Sequence, residues 1–181
     1  MEFQLDKFQE EAIRSIYENL NVLVIAPTGS GKTYIAEKAI EKYLSEQLNV
    51  IYTTPIKALS NQKYNDFNTL GYEAGLLTGD RTINPESSLI VGTTEILRNM
   101  IFADDKRLDD IGIIVLDEVH YLGDTERGTT WEEIIIHAPK NIKFLSLSAT
   151  VKNKIEFLDW IVSLRGPTEL IESTTRPVPL D

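Results

Sequence analysis

The chain predicts an α/β protein: a three-layer αβα sandwich whose central sheet is mostly parallel, with helices on both faces. Three observations carry this. Short apolar runs recur along the 181 residues, most of them followed by a stretch whose apolar positions have helical spacing. The run Gly112-Ile113-Ile114-Val115-Leu116 is almost wholly apolar, as a central strand covered on both faces must be. Polar clusters at 26–33, 53–57, 78–80, 92–95, 117–120 and 148–150 follow the runs, so the fold brings them to one rim. That rim is the carboxyl edge of the sheet, where open α/β folds hold their ligands.

Taken in order, Asp6 precedes an amphipathic run in which Phe8, Ala12, Ile16 and Leu20 share one face, with Ile13 and Tyr17 beside them. Asp6 and Gln9 have the spacing of a capping box. Val22-Leu23-Val24-Ile25 is the first strand, and Ile35, Ala36, Ala39, Ile40, Tyr43 and Leu44 mark the helix after it. The β-rich run Asn49-Val50-Ile51-Tyr52-Thr53-Thr54 ends at Pro55, and a helix follows from about 56 to 70. A short strand over 73–78 leads to the turn at Gly79-Asp80. Leu89-Ile90-Val91 is the next strand, running into Gly92-Thr93-Thr94-Glu95 and a short helix through Met100. After the strand at 112–116 come a helix at 126–138 and a strand at 143–147 that ends in Ser148-Ala149-Thr150. A helix over 153–164 is expected to bury Ile155, Leu158 and Ile161, and Glu169-Leu170-Ile171 reads as a last strand. Residues 174–181 carry two prolines and few helix formers, so they read as an extended linker after a single domain at 1–173.

Composition narrows the chemistry. There is no cysteine, which excludes disulfides, thiolate-bound zinc and iron–sulfur clusters, and two histidines are too few for an imidazole-rich metal centre. No apolar run reaches bilayer-spanning length and the first residues lack the pattern of a signal peptide, so the cytoplasm is the expected compartment, with no membrane partner. A net charge of −10 argues against a broad basic surface for nucleic acid, but not against contacts from backbone amides and hydroxyls.

Ala26-Pro27-Thr28-Gly29-Ser30-Gly31-Lys32-Thr33 lies between the first strand and its helix. Two glycines let such a loop curl so that amides from Gly29 to Thr33 converge on a polyphosphate at a helix N-terminus. Lys32 then reaches the β/γ-phosphates and the Thr33 hydroxyl ligates Mg²⁺, with Thr28 and Ser30 in the same loop. The pattern is that of a P-loop, except that Ala26 stands where the first glycine is usual. Asp117-Glu118 at the end of an apolar strand is the matching Walker B pair: Asp117 for Mg²⁺, directly or through water, and Glu118 to activate the attacking water. A residue that activates water favours hydrolysis over phosphoryl transfer to a hydroxyl.

Asp117-Glu118-Val119-His120, with the P-loop and Ser148-Ala149-Thr150, resembles the DExH box set of a superfamily 2 nucleic-acid helicase. So do, in order, Phe3-x-Leu5-Asp6-x-Phe8-Gln9, Thr54-Pro55-Ile56-Lys57-Ala58-Leu59-Ser60-Asn61-Gln62, Thr78-Gly79-Asp80, Gly92-Thr93-Thr94-Glu95 and Arg176-Pro177-Val178-Pro179-Leu180. Asp124, Arg127-Gly128 and Trp131-Glu132-Glu133 are most similar to the superkiller and exosome-associated RNA helicases. The resemblance implies a RecA-like P-loop NTPase fold for the first motor domain, with ATP and Mg²⁺ bound. It further implies that Gln9 reads adenine with Phe3 against the ring, although capping alone also accounts for Gln9. His120, Ser148 and Thr150 would couple nucleotide state to the nucleic-acid cleft, where a polar strand end and a helix cap are the simpler local accounts. Thr54, Pro55, Lys57, Thr78, Gly79, Asp80, Thr93 and Thr94 would lie along the backbone of a single strand, RNA favoured over DNA, though Thr78 and Thr93 also suit capping. Arg127 and Trp131 read locally as an ion-pair partner and a core residue. The family uses a second RecA-like domain that supplies an arginine finger, and none follows within these residues. They are therefore expected to bind ATP weakly and hydrolyse it poorly. A DNA-repair or DNA-translocating helicase, and an ATP-regulated binding module without turnover, are the alternatives.

Overall fold

A computed structural model describes residues 5–119, 125–149 and 151–173. Phe3, His120, Thr150 and the linker at 174–181 lie outside them. The elements run α1 (Lys7–Tyr17), β1 (Asn21–Ile25), α2 (Lys32–Ser45), β2 (Asn49–Thr54), α3 (Lys57–Thr69), β3 (Gly75–Leu77), β4 (Thr82–Ile83), β5 (Leu89–Thr93), α4 (Thr94–Phe102), β6 (Ile111–Leu116), α5 (Thr125–His137), β7 (Lys143–Ser148), α6 (Lys154–Arg165) and β8 (Thr168–Glu172). A 3₁₀ turn, Lys106–Asp110, precedes β6.

The eight strands form one sheet in the order β4-β3-β5-β2-β6-β7-β1-β8. Every pairing is parallel except β3 with β4, a two-residue antiparallel edge. Strand alternation sorts the core into two layers. Val22, Val24, Val50, Tyr52, Ile113 and Val115 pack with residues of α1, α2 and α3, whereas Leu23, Ile25, Ile51, Ile114 and Leu116 pack with α4, α5 and α6. Because the six strands preceding the polar clusters are parallel, the clusters gather at one edge as expected.

Two polar residues lock the far side of the sheet. Asn21 accepts from Phe144 N at 2.8 Å and donates to the carbonyls of Arg165 and Pro167, which ties β1 to β7 and to the turn before β8. The Arg165 guanidinium donates to four carbonyls at Ile135, Ala138, Pro139 and Ile142, closing the C-terminal end of α5. Burial pushes its pKa down to about 10, so it is still a cation at neutral pH.

Two short elements lie outside the sequence expectations, and one burial expectation needs correction. The edge strand β4 and the 3₁₀ turn were not foreseen, since two and five residues are too short to establish a period. Ile155 is 56% exposed and Leu158 only half-buried, so of the three residues expected to be buried on α6 Ile161 alone is.

Candidate nucleotide cleft and adjoining groove

Ala26 is fully buried and its N–H donates to Ser148 O at 2.9 Å, so the loop leaves β1 in step with the end of β7. Ala26 is not among the residues of positive φ, so the backbone there does not require glycine. The loop then turns through Gly29 at φ 82° and Gly31 at φ 97°, both in the region that favours glycine. Gly31 is doubly required: a Cβ there would meet Gln9 Nε2 at 2.5 Å.

Gln9 has two attachments. Its Oε1 accepts from Asp6 N at 2.9 Å, completing the capping box, and its Nε2 donates to Gly31 O at 3.1 Å. The capping account is therefore realised, together with a bond from α1 to the glycine loop that spacing alone did not suggest. An amide has two N–H donors and two lone pairs, so one of each remains.

Lys32 opens α2 and folds back on its own loop, with Nζ donating to Ala26 O and, at 3.0 Å, to Pro27 O. Burial lowers its pKa, against which the negative charges of Asp117 and Glu118 act. Ser30 is 6% exposed and its Oγ finds no hydrogen-bond partner among the described residues. A buried hydroxyl without a partner is costly in a folded chain, and in this loop it is available to a phosphate oxygen.

β7 lies between β1 and β6, so Lys32 and Asp117 start from strands two places apart, about 10 Å at ordinary strand spacing. That gap suits a phosphate chain with a cation at its side. Asp117 is 7% exposed; its N–H donates to Thr53 O, its Oδ1 accepts from Glu118 N at 2.8 Å and its Oδ2 accepts from the Tyr52 hydroxyl. Glu118 sits at φ 61°, a left-handed conformation that a residue with a long side chain adopts at a cost of about 1–3 kcal/mol. Thr28, Gly29, Gly31, Lys32, Thr33, Thr54, Leu59, Lys63, Asp117 and Glu118 line a cleft of about 160 Å³. Buried carboxylate, exposed Thr33 hydroxyl and unpartnered Ser30 fit a magnesium–nucleotide in their donor types.

Lys63 was not singled out by sequence, yet its Nζ donates to Thr33 Oγ1 at 3.2 Å. Its position on α3 carries no motif of its own, so only the fold discloses it. Tyr52 escaped notice for a similar reason, as an aromatic residue in a strand reads as core.

A second, more open groove of about 430 Å³ adjoins along the same edge, lined by Pro55, Ile56, Lys57, Gly79, Thr93, Thr94, Glu95, Ile96, Asn99 and Thr130. Lys57 pairs with Asp80 at 3.2 Å, both exposed. The Thr78 hydroxyl, then Lys57, hold the Asp80 carboxyl below its ordinary pKa. Thr93 Oγ1 accepts from Ile96 N at 3.4 Å, capping α4. Thr54 is separated from the others. It is buried and lines the nucleotide cleft; its hydroxyl lies 2.9 Å from Ile56 O and 2.7 Å from Ser60 Oγ, which is itself 2.9 Å from Gly92 O, so two hydroxyl protons serve these three contacts. Trp131 packs against Phe157 and Trp160 with centroids 5.0 and 5.9 Å away, a partly buried aromatic cluster between α5 and α6.

A family model described as DEAD/DEAH box helicase matches residues 6–158. The chain is 49% identical over 187 residues to the DExH-box ATP-dependent RNA helicase DExH15, chloroplastic, of Arabidopsis thaliana, covering 99% of this chain and 16% of that protein. It is 47% identical to the probable helicase HelY of Mycobacterium leprae, covering 98% and 20%, and 47% identical to the human exosome RNA helicase MTR4, covering 98% and 17%. It thus spans a fifth or less of the length of these relatives. Among solved structures, the DUF1998 helicase MrfA bound to DNA aligns with a TM-score of 0.78 at 18% identity over 94% of this chain and 26% of that one. The Hef helicase domain of Pyrococcus furiosus aligns at 0.72 and 24% over 94% and 39%, which together establish a RecA-like fold. On the match over residues 6–158 and the motifs at its sheet edge, the chain belongs to the DEAD/DEAH box helicase family.

Proposed function

We propose that residues 1–173 form the ATP-binding first motor domain of an RNA helicase, with 174–181 leading toward a second RecA-like domain. The observation that carries this is the convergence of the glycine loop and the Asp117-Glu118 pair on one cleft, with an open groove of about 430 Å³ beside it. Relatives named as RNA helicases at 47–49% identity support RNA over DNA.

In this reading Lys32 leaves the carbonyls of Ala26 and Pro27 to meet the terminal phosphates. Loop amides from Gly29 to Thr33 and the Ser30 hydroxyl complete the phosphate cradle. Thr33 and Asp117 would hold Mg²⁺, which when bound would supply neutralisation of phosphate charge. Glu118, fixed by its left-handed backbone, takes the proton of the attacking water. Gln9 uses its remaining N–H and lone pair toward the adenine edge while keeping the loop in register through Gly31. Lys57, Thr93 and Thr94 meet phosphates of a single strand without reading bases, as a translocating motor requires.

The test is equilibrium titration of the chain with ATP, with and without single-stranded RNA or DNA of one sequence. ATP binding that strengthens when RNA is present, and less so with DNA, is expected. Failure to bind ATP overturns the motor assignment, and equal effects of both polymers overturn the RNA preference.

A further inference from the structure

Tyr52 belongs to none of the motifs that build the cleft, yet it touches the carboxylate on the cleft's metal side. It lies in the middle of β2, fully buried, and its hydroxyl donates to Asp117 Oδ2. The register explains the meeting. Tyr52 is opposite Val115, and Asp117, two residues further on, projects to the same face of the sheet. With Glu118 N on Oδ1, both oxygens of the carboxylate are held by donors fixed to the sheet edge. Phe67 of α3 packs edge-on against the phenol ring at 5.1 Å and 74°, so the ring itself is held. Packing alone does not call for the hydroxyl: phenylalanine would fill the same space, and a buried O–H is unfavourable unless it is bonded.

We propose that Tyr52 is a positioning residue for Asp117, its hydroxyl fixing the plane of the carboxylate so that the remaining lone pairs address a divalent cation. This rests on the reading of Asp117 as the metal-side carboxylate. Each carboxylate oxygen accepts more than one bond, so both keep a lone pair for the cation or its waters. Without the phenol donor the carboxyl torsion is broad and the group turns away from that orientation. Outer-shell partners of metal-binding carboxylates typically change metal affinity by about 10–100-fold when removed.

The experiment is titration of the chain with ATP in excess Mg²⁺ and again in EDTA, for the unmodified protein, Tyr52→Phe and Asp117→Asn. The ratio of the two affinities reports the cation's contribution. Tyr52→Phe is expected to keep the EDTA affinity and the unfolding midpoint while lowering the ratio toward that of Asp117→Asn. An unchanged or increased ratio in Tyr52→Phe, with a lowered one in Asp117→Asn, overturns the positioning role. Equal losses with and without Mg²⁺ also overturn it, since they report a structural effect. A ratio untouched by Asp117→Asn shows instead that the metal-side assignment itself is wrong, and the role of Tyr52 falls with it.

Discussion

The nucleotide cleft and the groove beside it share one sheet edge but are built differently. In the cleft the charged groups are tied to the scaffold: the buried Asp117 is held at both oxygens and the half-buried Lys32 at two carbonyls. In the groove the lining Lys57 pairs with Asp80 in an exposed position, and Thr93 Oγ1 accepts from Ile96 N to cap α4. A buried carboxylate in a fixed position, as Asp117 is, acts strongly because little solvent screens it and it needs little reorganisation. Exposed charges at helix starts bind weakly and release readily. The difference fits the proposed motor role, in which one phosphate chain is held firmly and many others are passed over. Thr54 and Ser60 join the two regions, since Thr54 lines the cleft and its partner Ser60 bonds to Gly92, just before Thr93 and Thr94.

The comparison breaks most sharply at Glu118. If the cleft is preorganised for hydrolysis, Glu118→Gln keeps shape and hydrogen bonding but removes the base, and in a longer form of the protein that carries the proposed second RecA-like domain ATP turnover is expected to fall by about 10²–10⁴-fold. ATP affinity should stay within a few-fold, because the loop and Lys32 are untouched. Phosphate release measured alongside equilibrium binding separates the two quantities. Turnover that survives the substitution would mean that the left-handed turn at Glu118 serves the fold alone.

A smaller effect is expected from the glycine loop, where two substitutions sharpen how tightly the cleft is tied to α1. Both Gly29 and Gly31 have positive φ, so alanine at either carries about 1–2 kcal/mol of backbone cost. At Gly29 the added Cβ meets nothing within 4 Å, whereas at Gly31 it meets Gln9 Nε2 at 2.5 Å. Gly29→Ala should therefore lower the unfolding midpoint by roughly 2–8 °C and Gly31→Ala by more. Gly31→Ala should also weaken ATP binding by displacing Gln9. Equal midpoints for the two variants would show that the Gln9 bond to Gly31 O contributes nothing.

The cleft was more legible in the sequence than the groove, for a physical reason. A phosphate loop and a carboxylate pair each need contiguous residues at a strand end, so residues 26–33 and Asp117-Glu118 declare themselves by local spacing. Gln9 was half legible: its capping partner is three residues away, its contact with Gly31 is twenty-two. Tyr52 and Lys63 were illegible because their contacts arise only when β2 pairs with β6 and α3 packs beside the loop. In the groove, threonines at strand ends and helix starts carry two meanings, and the sequence did not choose between them. Geometry separates them: Thr94 lines the groove and Thr93 both lines it and caps α4, while Thr54 faces the nucleotide cleft. The parallel core was read correctly from its apolar runs, and the two-residue edge β4 escaped because it has no room for a pattern.

The smallest expected effect lies at the groove's exposed pair, and it tests the other half of the comparison. Lys57 and Asp80 are 57% and 64% exposed in their side chains, a setting in which an ion pair adds little to folding. Lys57→Gln should leave the unfolding midpoint unchanged while weakening binding of single-stranded RNA. If Lys57 meets one phosphate, the slope of log affinity against log salt should become shallower by about 0.7. Asp80→Asn should act in the opposite direction, releasing Lys57 from its carboxylate and strengthening RNA binding most at low salt. The pair of substitutions distinguishes a phosphate contact from a turn lock, because loss of a lock would loosen binding in both variants and leave the salt slope where it was.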